Sequence, residues 1–399
     1  MLPQPRPTTP DPGRNPRLPR RTPGRADLRV FTTEVIRSGR HRLRRLSRTG
    51  TFLRDGHPVL VRFTTLATAA LCVLTTVTGC SGSTGPAAAA SGGGLEKTRL
   101  TVRVLPVADM APLYLAIRNG YFTAEGLTIT PRVIQKGDLA IQALRQGDLD
   151  IAVGNYVSFF TAQARGAHLK IIADGYQAKQ NTQVVVTLPG SPIRRVSDLA
   201  GKRIGVSTLS NVAQLATMSA LDVAGVNPRA VKFVQVDNPN MATALRTGLI
   251  DAAYELEPFL SADQQHYGVV KLFDAMSGPT ANLAISGYAT TTSWAAKNPN
   301  TFAAFQRAMH RGQVAAADRA AVEKILPTYT SINANTAAEI NLGTYPTSIS
   351  QTRLARVLQL MVTYRLVPDE STVDLPAMLA NATGTPARAS GAGHSVPST

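Results

Sequence analysis

The hydrophobic positions of this chain fall into strand-like and helix-like stretches from residue 100 onward. Residues 100–107, LTVRVLPV, alternate apolar and polar positions and predict a strand. In the stretch that follows, ADMAPLYLAIRNGYF, the residues Leu113, Leu115, Ala116 and Ile117 form a mostly helical apolar face that Gly120 closes. A second strand over 127–133, a helix over 139–145 and a short apolar strand over 150–153 come next. Strands alternating with short helices predict parallel pairing, and so an α/β sheet.

The pattern then repeats. ALRQGDLDIA at 143–152 and ALRTGLIDAA at 244–253 agree at six of ten positions at an offset of 101. At a similar offset LTVRVLPVAD has a counterpart in KRIGVSTLSN, and Gly126-Leu127 in Gly225-Val226. Two copies are too few for a solenoid, and each contains a complete strand-helix-strand-helix-strand unit, so two similar α/β lobes are expected. Ligands of open α/β sheets sit beyond the carboxyl ends of the strands, where helices begin, and two facing lobes place two such edges across one cleft. Segments 184–189 and 283–290 read as crossover strands that serve as the hinge. The helical stretches 298–325 and 350–367 are expected to pack on the first lobe.

Upstream of this body the chain changes character. Residues 1–58 are rich in Pro, Arg and Gly without a sustained apolar period, and read as a disordered basic extension or as sequence ahead of the true start. Residues 59–79 read as a signal peptide, in which Arg62 supplies the positive start and 63–77 an apolar run of about 15 residues, short for a membrane span. Its end, Val77-Thr78-Gly79-Cys80, resembles the lipobox of bacterial lipoproteins, which implies that the Cys80 thiol is diacylated and that Cys80 becomes the mature N-terminus. Cys72 leaves with the signal, so no disulfide is expected in the mature chain. Residues 80–97 form the lipidated cysteine and a flexible tether, 98–186 the first part of lobe 1, 187–284 lobe 2, 285–381 the helical return to lobe 1, and 382–399 a disordered tail.

The formal net charge of +17 suggests a nucleic-acid partner until it is located along the chain. Residues 1–79 hold fifteen arginines, no lysine and four acids, a net of +11, which leaves +6 for everything after them. The basicity belongs to the prefix, and no nucleic-acid partner is expected. Catalytic signatures are missing as well. His168, His266, His310 and His394 stand in no metal-binding spacing, and there is neither a G-x-S-x-G motif nor a P-loop. No cofactor, metal or enzymatic activity is expected.

A set of motifs runs through residues 98–380 in a fixed order: Ala111-Pro112-Leu113-Tyr114-Leu115-Ala116, Gly120-Tyr121-Phe122, Glu125-Gly126-Leu127, Gly147-Asp148 with Asp150-Ile151-Ala152, the run from Asp198 to Val206, and Gly248 with Asp251-Ala252 and Glu257-Pro258. On these residues the segment resembles the solute-binding proteins of ABC importers for nitrate, sulfonates and taurine, a family that also includes thiamine-pyrimidine precursor binders and synthases. It implies a type II periplasmic-binding-protein fold, two similar α/β lobes joined by a two-strand hinge with the ligand cleft between them. It further implies an exported monomer, lipid-anchored to the outer face of the cell membrane, that hands a small solute to an ABC permease and its ATPase. The synthase branch carries a cysteine-rich segment that this chain does not have.

Site candidates are the residues that follow the strands. They are Asp109, Met110, Ala111, Asn155, Tyr156 and Tyr176 in the first lobe, and Ser207, Thr208, Ser210, Asn211, Tyr254, Glu255 and Glu257 in the second. Asp109 either caps its helix or meets the solute, and Ser210 or Asn211 can do both. Helix starts at 109–111 and 207–211 can bind an oxyanion through backbone amides without lysine or arginine. Asp109, Glu255 and Glu257 instead favour an amine or an aminopyrimidine. An alkyl or amino sulfonate or a nitrate-like anion is the first expectation for the solute, and an aminopyrimidine or thiamine precursor the alternative. Taurine satisfies both sets of residues.

Overall fold

Ten strands form two five-stranded sheets in residues 94–379, the part of the chain described by the computed structural model. The signal segment, Cys80 and the tail from 382 lie outside the described residues. In chain order the strands are β1 (Arg99–Val104), β2 (Thr128–Val133), β3 (Ile151–Asn155), β4 (Leu169–Gln177), β5 (Gln183–Thr187), β6 (Arg203–Val206), β7 (Lys232–Gln235), β8 (Ala252–Leu256), β9 (Val270–Asp274) and β10 (Ala284–Thr291). The helices are α1 (Ala111–Arg118), α2 (Tyr121–Ala124), α3 (Gly137–Gln146), α4 (Tyr156–Ala164), α5 (Val212–Val223), α6 (Met241–Arg246), α7 (Phe259–Tyr267), α8 (Thr292–Lys297), α9 (Pro299–Ala315), α10 (Arg319–Ile325), α11 (Ala334–Glu339), α12 (Gln351–Thr363) and α13 (Leu375–Leu379). Among the described residues no helix is long and apolar enough to cross a membrane.

The strand orders are β2-β1-β3-β10-β4 and β7-β6-β8-β5-β9, the same arrangement twice. Each sheet has one strand that runs against its neighbours. β10 lies antiparallel between β3 and β4, and β5 antiparallel between β8 and β9. These two strands are the ones that the chain inserts after crossing from one sheet to the other, through residues 178–182 and 275–283; the segments expected as the hinge, 184–189 and 283–290, fall largely within β5 and β10, and the crossings lie just ahead of them. Both are buried along almost their whole length, which is why they read in sequence as apolar runs rather than as alternations.

The repeat has a physical basis in two aspartates. Asp150, just before β3, accepts the backbone N–H of Thr101 at 2.8 Å, and Asp251, just before β8, accepts that of Arg203 at 2.8 Å. Each carboxylate ties the start of one parallel strand to its neighbour, in register with the pairs Val102↔Ile151 and Ile204↔Ala252. Side chains complete both anchors, Lys97 and the Trp294 indole on Asp150 and the Arg203 guanidinium on Asp251.

The first core forms where Leu100, Val102 and Val104 of β1 meet α1 and α9, with Phe122 and Phe305 packed ring to ring between them. α9 approaches α1 closely because Gly312 lies against the Pro112 carbonyl. The helices of the stretches 298–325 and 350–367 pack on the first lobe, whereas α11, which lies between those stretches, reaches the second. α9 and α10 lie on α1, α12 on α4 and α13 on β4, but α11 rests on α7 of the second lobe. There Gln265 donates to Glu339 and Thr336 to Gln265, and further on Tyr364 donates to Asp222 of α5. The return segment therefore touches both lobes, because polar residues of α11 and the end of α12 find partners that its apolar helix faces do not reveal.

Gly312→Ala provides a check on this packing. In an exposed helix the exchange stabilises by about 1 kcal/mol, but here the added Cβ meets the Pro112 carbonyl and the Ala116 Cβ at 2.9 Å. Chemical denaturation should show a loss of about 1–3 kcal/mol. A gain in stability would mean that α1 and α9 are not in this contact.

Candidate functional site

β1, β3, β6 and β8 end at a common cavity of about 90 Å³ between the two sheets. From the first lobe it is lined by Arg103, Leu105 and Val107 at the end of β1, by Asp109 and Met110 before α1, by Gln135, Gly137 and Ile141 around the start of α3, and by Asn155, Ser158 and Phe159 at the β3–α4 junction. The second lobe supplies Gln183, Ser207, Thr208, Asn211, Asn238, Tyr254 and Leu256, and β10 adds Ile285 and Ser286. At about 30 Å³ per water in the liquid, the space corresponds to at least a few waters, the size of a compact solute.

Helix starts converge on this space. Asn155 caps α4 by accepting the Ser158 N–H at 2.8 Å, and Asn211 caps α5 by accepting the Gln214 N–H at 3.2 Å. The second Asn211 contact is a donation to the Ser207 hydroxyl at 3.4 Å. With Gly137 opening α3, three helices begin at the cavity wall, and their free N–H groups and dipoles make its interior attractive to negative charge.

Two side chains carry formal charge there. Asp109 is buried and accepts the Ser286 hydroxyl at 2.6 Å. Burial pushes its pKa up to about 6, partly offset by the Ser286 bond. Its loop is held from several sides. Tyr329 donates to the Val107 carbonyl at 3.2 Å, Tyr345 donates to the Ala108 carbonyl at 3.0 Å, and the Ala108 N–H donates to the Glu257 carbonyl at 3.2 Å. Asp109 does not cap α1, whose start has no side-chain cap.

The other charge is Arg103, 3% exposed, which donates to the carbonyls of Ile134 at 2.8 Å, Gln135 at 3.2 Å and Val153. Burial lowers its pKa to about 10, so it stays protonated at neutral pH. Tyr254, the remaining ionisable lining residue, donates to Gln183 across the β5–β8 pair. No histidine, cysteine or lysine lines the cavity, and among the described residues no cluster of three or more His, Cys, Asp or Glu could hold a metal.

Of the sequence candidates, Asp109, Met110, Asn155, Ser207, Thr208, Asn211 and Tyr254 line the cavity. The others lie elsewhere. Ala111 is buried inside the first turn of α1. Tyr156 points behind the first sheet and donates to Asp174 at 2.6 Å, where Arg353 of α12 also binds, because α4 starts directly at the end of β3 and turns the ring inward. Tyr176 accepts the Gly343 N–H and packs on Tyr345. Ser210, at φ +53°, lies on a neighbouring surface depression with Arg145 and Arg165.

Glu255 faces Asp263 rather than the cavity, and burial together with the Asp263 charge pushes it up to about 10. Glu257 binds Ser261 and the N–H of Asn341 at 3.1 Å, joining α7 to the return segment. Strand alternation explains the split within β8, since Tyr254 and Leu256 share the face that Glu255 avoids. The acids that argued against an anion thus reduce to Asp109 alone, and Arg103, which was not among the candidates, joins the lining. Arg103 escaped notice because an arginine between valines reads as the solvent face of an alternating strand, whereas α3 covers that face. Asn238, Gln183 and Ser286 had no motif to mark them.

Comparisons with known proteins agree on the architecture. Residues 107–320 match the family model described as NMT1/THI5 like. The riboflavin-binding protein RibY of Chloroflexus aurantiacus is 24% identical over 55% of this chain and 62% of its own length. The taurine-binding periplasmic protein of Escherichia coli is 26% identical over 52% of this chain and 64% of its own. The chain thus spans a little over three fifths of these curated relatives. The crystal structure of the periplasmic aliphatic sulphonate binding protein SsuA from Escherichia coli superposes with a TM-score of 0.57 at 20% identity, over 71% of this chain and 96% of that one. The two-lobe fold is that of a periplasmic binding protein.

Asp109 gives a pH signature. Its carboxyl holds a proton more tightly in the folded chain than in the unfolded one, so stability present below about pH 4 is lost as pH rises through about 6. Asp109→Asn removes this loss and keeps an acceptor for Ser286. Denaturation of both proteins without solute should show the variant gaining on the native chain, by up to about 3 kcal/mol, between pH 4 and pH 7.5. A constant difference across that range would contradict a buried titrating carboxyl.

Proposed function

The chain belongs to the NMT1/THI5-like family, whose model spans more than half of it, and we propose on that premise that it is the extracytoplasmic solute-binding receptor of an ABC importer. A single observation carries the reading: a solute-sized cavity at the carboxyl ends of the parallel strands of two sheets that the chain links through two crossing segments. Such a cavity can open and close by bending residues 178–182 and 275–283. Capture rather than catalysis is supported by the lining, which offers hydroxyls, amides, apolar walls, Arg103 and Asp109 but, among the described residues, no histidine or cysteine to activate a nucleophile.

The proposed solute is a small organic anion of the alkyl or amino sulfonate type. Three helix starts and Arg103 favour the anionic group, and Asp109 with Ser286 suits an ammonium at the other end. Relatives named for taurine and aliphatic sulphonate support this class. The relative named for riboflavin points to a larger ligand, which about 90 Å³ does not admit without opening. Asp109 is the one residue that keeps an aminopyrimidine in view as a second reading. In this reading Cys80 is the lipid anchor, and the receptor is a monomer at the outer face of the membrane with a permease and ATPase as partners.

A thermal-shift panel of taurine, ethanesulfonate, nitrate, bicarbonate, aminopyrimidines and riboflavin should single out the sulfonates. A ligand at 100 times its dissociation constant stabilises by about 2.7 kcal/mol, an effect visible in the melting temperature. Stabilisation by aminopyrimidines or riboflavin alone would overturn the solute class. Separately, Cys80→Ser should shift the protein from the membrane fraction to the medium or leave an uncleaved precursor; processed protein still retained on the membrane would reject the anchor.

A further inference from the structure

We propose that Arg103 is the cation that holds the solute's oxyanion, and that it sets the receptor's preference for anionic over neutral solutes. The inference rests on the receptor reading above and adds to it the residue and the lobe that recognise the charge.

The argument starts from a charge without a counter-ion. Arg103 is almost fully buried and lines the cavity, yet among the described residues it forms no ion pair. Its partners are three neutral carbonyls, those of Ile134, Gln135 and Val153. A guanidinium has five N–H donors, so these bonds leave one hydrogen on each terminal nitrogen unused. Burying an uncompensated charge is costly, and structures rarely retain one without a partner to meet.

Asp109, the acid in the same cavity, is bound by Ser286 and not by Arg103. The two charges remain apart, and a solute is what can neutralise the cation. The low local dielectric that makes the isolated guanidinium expensive also strengthens its attraction for an anion. The three carbonyls fix the planar group in one orientation, so little freedom is lost when a flat or tetrahedral oxyanion binds. The anion is thereby assigned to the first lobe, where the starts of α3 and α4 lie beside Gln135 and Val153 and add their dipoles.

Calorimetric titration with ethanesulfonate and its neutral analogue ethanesulfonamide tests this on native protein, Arg103→Lys and Arg103→Gln. Native protein should prefer the sulfonate. Arg103→Gln should lose at least about thirty-fold in sulfonate affinity while sulfonamide affinity changes only a few-fold, and Arg103→Lys should fall between. A merely structural Arg103 would weaken both ligands together, and that result would overturn the proposal. If Arg103→Gln fails to fold, NMR of the native protein replaces it: the Arg103 side-chain N–H signals should shift and become protected from exchange on adding ethanesulfonate, and unchanged signals would reject the role. Native protein that binds nitrate or a carboxylate instead of sulfonate, with the same dependence on Arg103, would support this proposal while refuting the sulfonate class. Native protein that binds only neutral solutes would refute both.

Discussion

Each sheet of this protein is completed by a strand that the chain reaches only by leaving the other sheet. β10 fills the gap between β3 and β4, and β5 fills the gap between β8 and β9. Neither lobe can pair its central backbone groups from its own contiguous sequence, and unpaired groups at those positions would be buried and costly. The exchange is therefore obligatory, and it has a geometric result. It keeps two crossing segments side by side along one edge of the cleft, so the carboxyl ends of the parallel strands face each other and α3, α4 and α5 start at the same space.

The cavity that results has a polarity of its own. One wall holds a protonated guanidinium and two helix starts, while Asp109, held by Ser286, sits apart from that cation and is only weakly acidic for its type. Other buried or half-buried acids meet an arginine: Asp251 pairs with Arg203, Asp174 with Arg353 and Glu125 with Arg307. The cavity holds an acid and an arginine that are not paired with each other, and departures from internal consistency concentrate where a protein does its work.

Much of the fold was legible because its determinants are local or repeated. The alternation in LTVRVLPV marked β1, and the offset of 101 residues marked two lobes, since Asp150 and Asp251 perform one task twice. Positions just after strands led to Asp109, Asn155, Asn211 and Tyr254. What the sequence hid was facing. Tyr156 and Tyr176 stand at strand ends but turn into the core, Glu255 points at Asp263, and Arg103 looks like a surface residue until α3 is laid over it. These facts depend on which element covers a strand, and α11 on α7 shows that coverage can come from over seventy residues away.

The hold of Tyr329 and Tyr345 on the Asp109 loop has a consequence for assembly. A chain emerging from its amino end presents β1, β3 and β4 long before the residues that finish their lobe exist. The strand between β3 and β4, the hydroxyl on Asp109 and both tyrosine clamps all come from beyond residue 283. The lobe that begins first is thus the last to mature, and the contacts it waits for are the most distant in sequence, which are also the slowest to form. A chain cut before Tyr345 lacks part of the hold on the Asp109 loop, so a fully formed pocket is a sign that synthesis has passed these residues.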